Sequence, residues 1–150
     1  MNQKRLIKFT RFLLEFMFYS GIIVVVTLPF SLRWLGSYFL LFREEYYIPM
    51  LVVTLVAGIF AILILGQLKK MMKTVLENNC FVTSNVISLK RMGVYSFVIT
   101  IAFLIKILFR LTPATLIIIP TFFIAGLFCY VLAFVFKEAV QYKEENDFTI

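Results

Sequence analysis

Histidine is absent from this sequence of 150 residues, and charged residues are scarce at 15%. Without histidine the chain has no Ser-His-Asp triad, no imidazole general base and no histidine metal ligand. Its two cysteines are too few for a disulfide framework or a four-thiolate zinc site. The six glycines are isolated, so no glycine-rich phosphate-binding loop is present. We therefore predict no catalytic residues, no metal or cofactor site and no enzymatic activity.

The chain is short of charge because most of it is apolar. Apolar residues make up 62% of the sequence, whereas soluble domains contain about 45–50%. A soluble domain of similar length buries only about 70% of the surface of its unfolded chain, which is too little to cover so much apolar side chain. The composition excludes a water-soluble monomer and indicates an integral membrane protein whose main partner is the lipid bilayer.

Four apolar stretches are long enough to cross a bilayer, whose core of about 30 Å requires about 20 helical residues. They cover about residues 12–32, 50–68, 92–111 and 113–136. The first is longer than the apolar run of about 7–15 residues in a signal peptide and lacks a small-x-small cleavage site, so we interpret it as an uncleaved span. No remaining segment is long enough for a soluble domain. We predict an all-α fold, a single domain over residues 1–150, with four transmembrane helices in an antiparallel bundle.

The basic residues predict the orientation, because Lys and Arg are enriched in cytoplasmic loops. With four spans, both termini and the loop over residues 69–91 lie on one side, which then carries eleven of the fifteen Lys and Arg residues. Both termini are therefore expected in the cytoplasm. The net charge of +7 is spread along the chain as flanking anchors, so no direct nucleic-acid binding is expected.

The segment after the second span is predicted to stay helical. Its apolar residues recur with the i, i+3, i+4 spacing of one helix face, while lysines occupy the other face. The second helix should therefore continue for about two turns beyond the membrane, and the third and fourth should also extend into the cytoplasm. These helix ends, residues 68–91 and 137–150, are called here the helix-end platform. The apolar stripe on the second helix consists of Leu68, Met71, Met72, Val75 and Leu76.

Short polar residues mark the predicted helix boundaries. Asn78 and Asn79 are expected to stop the second helix, because Asn tolerates the left-handed conformation of a helix end. Thr83 is the predicted N-cap of the third helix. Thr112 is the predicted N-cap of the fourth, with Pro113 in its first turn.

Two cations lie close to the outer end of the third span. Lys106 and Arg110 are four residues apart and so share one helix face. Long basic side chains near a span end extend to the headgroups, and either residue could instead pair with Glu44 or Glu45. Ionisable groups within a span are also candidates for function. Both interpretations stay open, an interfacial anchor and a site for an anion or substrate.

The C-terminal tail is acidic, against the basic trend of its side of the membrane. It can be a solvated helix end, a docking surface for a basic partner, or a strap folded back on the helix-end platform. If the platform binds a partner, exposed apolar side chains and the tail carboxylates are the expected contacts. The candidate partner-binding residues are Met71, Met72, Phe81, Glu144, Glu145 and Asp147.

Two segments carry a resemblance to a known family. A Phe-x-x-x-Asn element runs from Phe81 to Asn85, ahead of a basic helix start at residues 89–93, and the chain ends in the acidic residues 144–150. In these features the sequence resembles the domain of unknown function 2975 family of small bacterial membrane proteins, and departs from its pattern at Asn79 and Cys80. The resemblance implies a four-span protein of the bacterial plasma membrane. Family members are often encoded beside a small helix-turn-helix regulator, which implies a small basic cytosolic DNA-binding partner.

Two classes of function follow from these features. The first is a regulatory or interaction protein whose helix-end platform binds a basic cytosolic regulator. The second is a small transporter or immunity-type protein acting within the bilayer, for which Lys106 and Arg110 would be the intramembrane charges. Ala57 and Ala61 give the second helix a small-xxx-small face, which favours close helix packing. A homo-oligomer is open in either class.

Overall fold

The computed structural model describes residues 2–38 and 44–148. These residues form four long helices and no strand. The helices are α1 (Gln3–Tyr38), α2 (Tyr47–Leu76), α3 (Thr83–Ile107) and α4 (Pro113–Phe148), with a short 3-10 turn over Glu44–Tyr46 ahead of α2. Each long helix has the length and hydropathy to cross a membrane. The all-α prediction and the four candidate spans are confirmed.

The first and last helices are longer than the apolar stretches from which they were predicted. α1 and α4 each contain 36 residues. The sequence predicted extensions of α2, α3 and α4, but α1 also continues past its apolar stretch and begins at Gln3. Lys, Arg, Leu and Gln are all strong helix formers, so nothing in the first turns interrupts the helix. Pro113 occupies the first residue of α4, as predicted.

Asn78 ends α2 in the way the sequence predicts. Its φ of 55° lies in the left-handed region, and its N–H donates to the carbonyl of Val75 at 3.2 Å. The N–H of Asn79 donates to the carbonyl of Thr74 at 3.0 Å. These two bonds form a Schellman motif, which satisfies carbonyls at the helix end.

The predicted cap of α3 is wrong by one residue. Thr83 is the first residue of the helix, and the N-cap position belongs to Val82, which has an extended backbone and no side-chain capping bond. The carbonyl of Val82 accepts the N–H of Asn85 at 3.0 Å. The chain therefore enters α3 through a residue whose side chain cannot cap, and other contacts must hold this helix start.

The helices form an open row. α1 contacts α2, α2 contacts α3, and α3 contacts α4, and within residues 2–38 and 44–148 no other pair of helices brings Cα atoms within 8 Å. α3 is the most enclosed helix, with eleven buried residues, whereas the described residues of α1 include none. The tightly packed part of the fold is therefore the succession α2, α3 and α4.

Glycines allow α3 and α4 to approach closely. A Cβ atom on Gly93 would lie 2.8 Å from the ring of Tyr130, and one on Gly126 would lie 2.9 Å from the ring of Phe97. The two rings stack with their centroids 5.8 Å apart, and Phe97 also packs against Phe123 at 5.9 Å. Phe97 is thus held by aromatic neighbours in α4, which leaves it little room to move away from an added methyl group.

We predict that Gly126→Ala lowers the thermal stability of the protein in detergent. Alanine favours the helical state by about 1 kcal/mol, but overpacking against a held ring costs about 1–3 kcal/mol. Gly66→Ala is the matched control, because its Cβ would meet Phe18 at an ordinary 3.6 Å. The control should melt at the wild-type temperature or above it. Equal melting temperatures for the two variants would show that Phe97 moves freely and would contradict the prediction.

Candidate functional site

The helix-end platform rests on a packed cluster of side chains from three helices. Val86 and Leu89 of α3 form a buried cluster with Ala133 and Val140 of α4. Met71 of α2 packs against the same cluster, as do Leu132 and Phe136. Side chains of three helices therefore meet beside the loop over residues 77–82, and the surface around this loop is held in one arrangement.

Asn85 connects the loop to two helices. Its side chain is only 2% exposed, and its amide nitrogen donates to the Thr74 hydroxyl at 2.7 Å and to the Cys80 carbonyl at 2.6 Å. One residue at the start of α3 thus binds the last turns of α2 and the middle of the loop. Asn85 is the last residue of the Phe-x-x-x-Asn element found in the sequence. Its two hydrogen bonds give a physical reason for an amide at that position.

The loop is also attached to α4. The ring of Phe81 packs edge-on against Phe136 with centroids 5.4 Å apart. Further along α4, the ammonium group of Lys143 donates a hydrogen bond to the side-chain oxygen of Asn79. These two contacts hold the last turns of α4 beside the loop. The acidic segment begins at Glu144, the residue after Lys143. These contacts therefore set the direction in which that segment leaves the loop.

The structure places the six candidate partner-binding residues in four different environments. Met71 is half-buried against the platform cluster, whereas Met72 lines a groove between α1 and α2. Phe81 keeps 44% of its surface exposed. The tail carboxylates lie together on the exposed end of α4, which stays helical through Phe148, so no strap forms within the described residues. These tail residues are Glu144, Glu145 and Asp147.

Lys106 is buried at the junction of α3 and α4. The side chain is 7% exposed, and its ammonium group donates to the hydroxyls of Thr115 at 3.1 Å and Thr112 at 3.3 Å. Those two hydroxyl oxygens are 2.7 Å apart. Lys106 therefore does not extend to the headgroups as an exposed anchor, because the turn over residues 108–112 brings two acceptors within its reach. Thr112 directly precedes α4, where its carbonyl accepts the N–H of Thr115 at 3.0 Å, and its hydroxyl belongs to this polar cluster.

Arg110 is half-buried and lies beside Lys106 at a small cavity. The cavity also touches Tyr46 and Pro49 from the start of α2, and its volume is about 10 Å³. That is about the space of one water molecule. The pairing with Glu44 stays a prediction, since the Glu44 side chain lies outside the described residues. In α1 the Arg11 Nε atom lies 3.2 Å from Glu15 Oε1, one helical turn along.

The fold defines this chain as an α-helical protein with four candidate membrane spans. Residues 41–150 match the family described as protein of unknown function (DUF2975), and the chain belongs to this family. The match covers α2, α3 and α4 and therefore includes Phe81, Asn85 and the acidic tail. No curated protein and no solved structure matches the chain.

We predict that Asn85→Ala loosens the loop over residues 77–82. The change leaves the Cys80 carbonyl without its amide donor, and losing a buried hydrogen bond costs about 1–3 kcal/mol. The readout is the rate at which a maleimide labels Cys80, measured in a Cys129→Ser background so that Cys80 is the one thiol present. This rate should rise several-fold.

The control for the loop experiment is Ser84→Ala, an exposed polar residue in the same first turn of α3. Its labelling rate should equal that of the unchanged chain. If Asn85→Ala and Ser84→Ala label at the same rate, the amide of Asn85 does not hold the loop.

Proposed function

We propose that this protein is an integral membrane protein of regulatory or interaction type, and that its helix-end platform binds a small basic DNA-binding regulator in the cytoplasm. The observation that supports the proposal is the acidic helix end beside the loop. Glu144, Glu145 and Asp147 continue α4 without a break, and Lys143 is bound to Asn79 just before them. A helical group of carboxylates next to a packed loop is suited to bind a cationic protein surface. The proposed role is not enzymatic.

The proposed orientation is an antiparallel arrangement of the four helices in the bacterial plasma membrane, with both termini and the platform in the cytoplasm. The distribution of basic residues supports it, since eleven of fifteen then lie on the cytoplasmic side. The order of contacts supports it as well. Along the chain from the loop through α3, Phe81 packs on Phe136, Gly93 lies against Tyr130, and Lys106 binds Thr115. The residue number of the partner in α4 falls at each step, as it does when α3 and α4 run in opposite directions.

We predict that alkaline phosphatase fused after Ile150 is inactive and that green fluorescent protein fused there is bright. Phosphatase folds only after export, whereas the fluorescent protein needs the cytoplasm. A matched fusion at Ser37, close to the end of α1, should show the opposite pattern because it places the reporter on the outer side. Active phosphatase after Ile150 would overturn the proposed orientation.

Charge complementarity explains why a basic partner suits the platform. Fixed carboxylates attract a positively charged protein from a distance and raise its rate of association, and this effect weakens as salt is added. The phosphate-binding face of a small DNA-binding protein carries clustered Lys and Arg. Such a protein cannot use that face for DNA while it is bound to the tail. A membrane protein with this surface would therefore hold a regulator away from its target.

We predict that the triple variant Glu144→Gln, Glu145→Gln, Asp147→Asn captures the regulator about fivefold less well than the unchanged chain, because three exposed charge pairs are lost at about 0.2–1 kcal/mol each. The measurement is crosslinking of the full-length chain in isolated membranes incubated with cytosolic extract, at low and at high salt, followed by identification of the captured proteins. A DNA-binding protein with an isoelectric point above about 9 is the expected product. The difference should shrink at high salt.

The control for the capture experiment is Glu77→Gln with Glu138→Gln. Both are exposed carboxylates of the platform region outside the tail, and their loss should leave capture unchanged. If the triple variant captures the same basic protein as the unchanged chain at low salt, the tail is a solvated helix end and the proposal fails.

A transporter or immunity-type role within the bilayer is the second candidate, and the burial of Lys106 is the observation that favours it. An ammonium group 7% exposed inside a candidate span is the kind of feature that marks an ion or substrate path. Its two threonine hydroxyls supply a structural explanation. The adjoining cavity of about 10 Å³ has room for about one water molecule. We place this candidate second because the threonine hydroxyls account for the burial of Lys106 and the cavity has room for only about one water molecule.

A further inference from the structure

A groove of about 530 Å³ lies between α1 and α2 on the side that carries Arg11 and Lys73. The two helices approach each other near Gly66, where a Cβ atom would meet the Phe18 ring at 3.6 Å. Past this contact, toward the start of α1 and the end of α2, side chains of both helices line the groove. Its volume falls within the range of about 300–1,000 Å³ that is typical of small-molecule sites. Neither α3 nor α4 contributes to it.

The polar lining of the groove is mainly cationic. Arg11, Lys69, Lys70 and Lys73 face it, against the carboxylates of Glu15 and Glu77. Glu15 is already paired with Arg11 at 3.2 Å. Within the described residues, none of the three lysines has a carboxylate within 4 Å. The groove therefore has an excess of positive charge that its own residues do not neutralise.

Lys69 is held in a defined position at the groove. Its ammonium group lies 4.5 Å from the centroid of the Phe18 ring and 5.1 Å from that of Tyr19. Cation–π contacts of this kind attract the ammonium group without neutralising its charge. The side chain is half-buried and lines the groove, so its charge is partly shielded from solvent.

Apolar side chains supply the rest of the lining. Leu14 comes from α1, and Met72 and Leu76 come from α2. The groove also begins where both uncharged stretches end, since that of α2 stops just before Lys69 and that of α1 begins after Glu15. A ligand in this position would have a charged part among the lysines and an apolar part along the helices. A phospholipid has this combination, whereas a free phosphate has no apolar part.

We propose that this groove is a binding site for an anionic phospholipid, with the headgroup phosphate at Lys69 and Lys73 and the start of an acyl chain along Leu14 and Met72. Basic pockets between transmembrane helices bind anionic headgroups by the same combination of charges. The site is separate from the acidic end of α4, so it stands independently of the proposed regulator partner. Bound lipid would fasten α1, which contacts α2 alone among the helices.

The test uses the full-length protein in detergent, with dioleoylphosphatidylglycerol, dioleoylphosphatidylcholine or inorganic phosphate as the probe and native mass spectrometry as the readout. Phosphatidylglycerol should bind at least tenfold more tightly than phosphatidylcholine. Lys69→Gln with Lys73→Gln should weaken phosphatidylglycerol binding about twentyfold to thirtyfold, since each lysine near an anionic headgroup contributes roughly fivefold. Lys69→Arg with Lys73→Arg should keep most of the affinity, which separates a charge effect from a folding defect.

The matched control is Lys90→Gln with Arg91→Gln, two exposed cations of α3 on the same side of the fold and outside the groove. This pair should bind phosphatidylglycerol like the unchanged chain. Equal losses in the two glutamine pairs would mean that the lipid responds to overall charge, and the site would be wrong. Displacement of phosphatidylglycerol by millimolar inorganic phosphate would show a soluble anion site instead and would also overturn the proposal.

Discussion

The side-chain amide of Asn85 is the interaction on which the candidate site depends. It binds Thr74 in α2 and the Cys80 carbonyl in the loop from the first turn of α3. The N-cap residue Val82 offers no side-chain bond of its own, so the amide of Asn85 attaches to its neighbours a helix start that has no side-chain cap. The loop held in this way positions Phe81 against Phe136 and Asn79 against Lys143. The direction in which the end of α4 leaves the fold follows from these contacts.

The features that sequence analysis predicted correctly are those set by local chemistry. An apolar run of sufficient length is visible in the chain itself, and the helix stop at Asn78 follows from the preference of Asn for positive φ. Family membership was recognised from the Phe81–Asn85 element and the acidic end, and the match over residues 41–150 confirms it. The assignment of Thr83 as a cap failed because the decisive bonds of that turn come from an amide two positions later.

The features that sequence analysis missed depend on contacts between helices. Burial of Lys106 requires Thr115, which lies nine residues away and reaches the ammonium group only through the turn between α3 and α4. Met71 and Met72 lie in different surroundings for the same reason, because adjacent residues of one helix face different neighbouring helices. Helical periodicity shows that both methionines belong to one stripe, but it carries no information about which helix covers each part of that stripe.

The open row of helices has a consequence for the order in which the chain assembles. Since each described helix contacts only those next to it in sequence, every partner of a helix has either just been synthesised or is synthesised next. No helix has to wait for a distant segment, and the cost of closing long loops is avoided. α1 can enter the membrane without a buried surface, and each later helix can add to the edge that the previous one presents. The fold is therefore compatible with assembly in step with translation, one helix at a time.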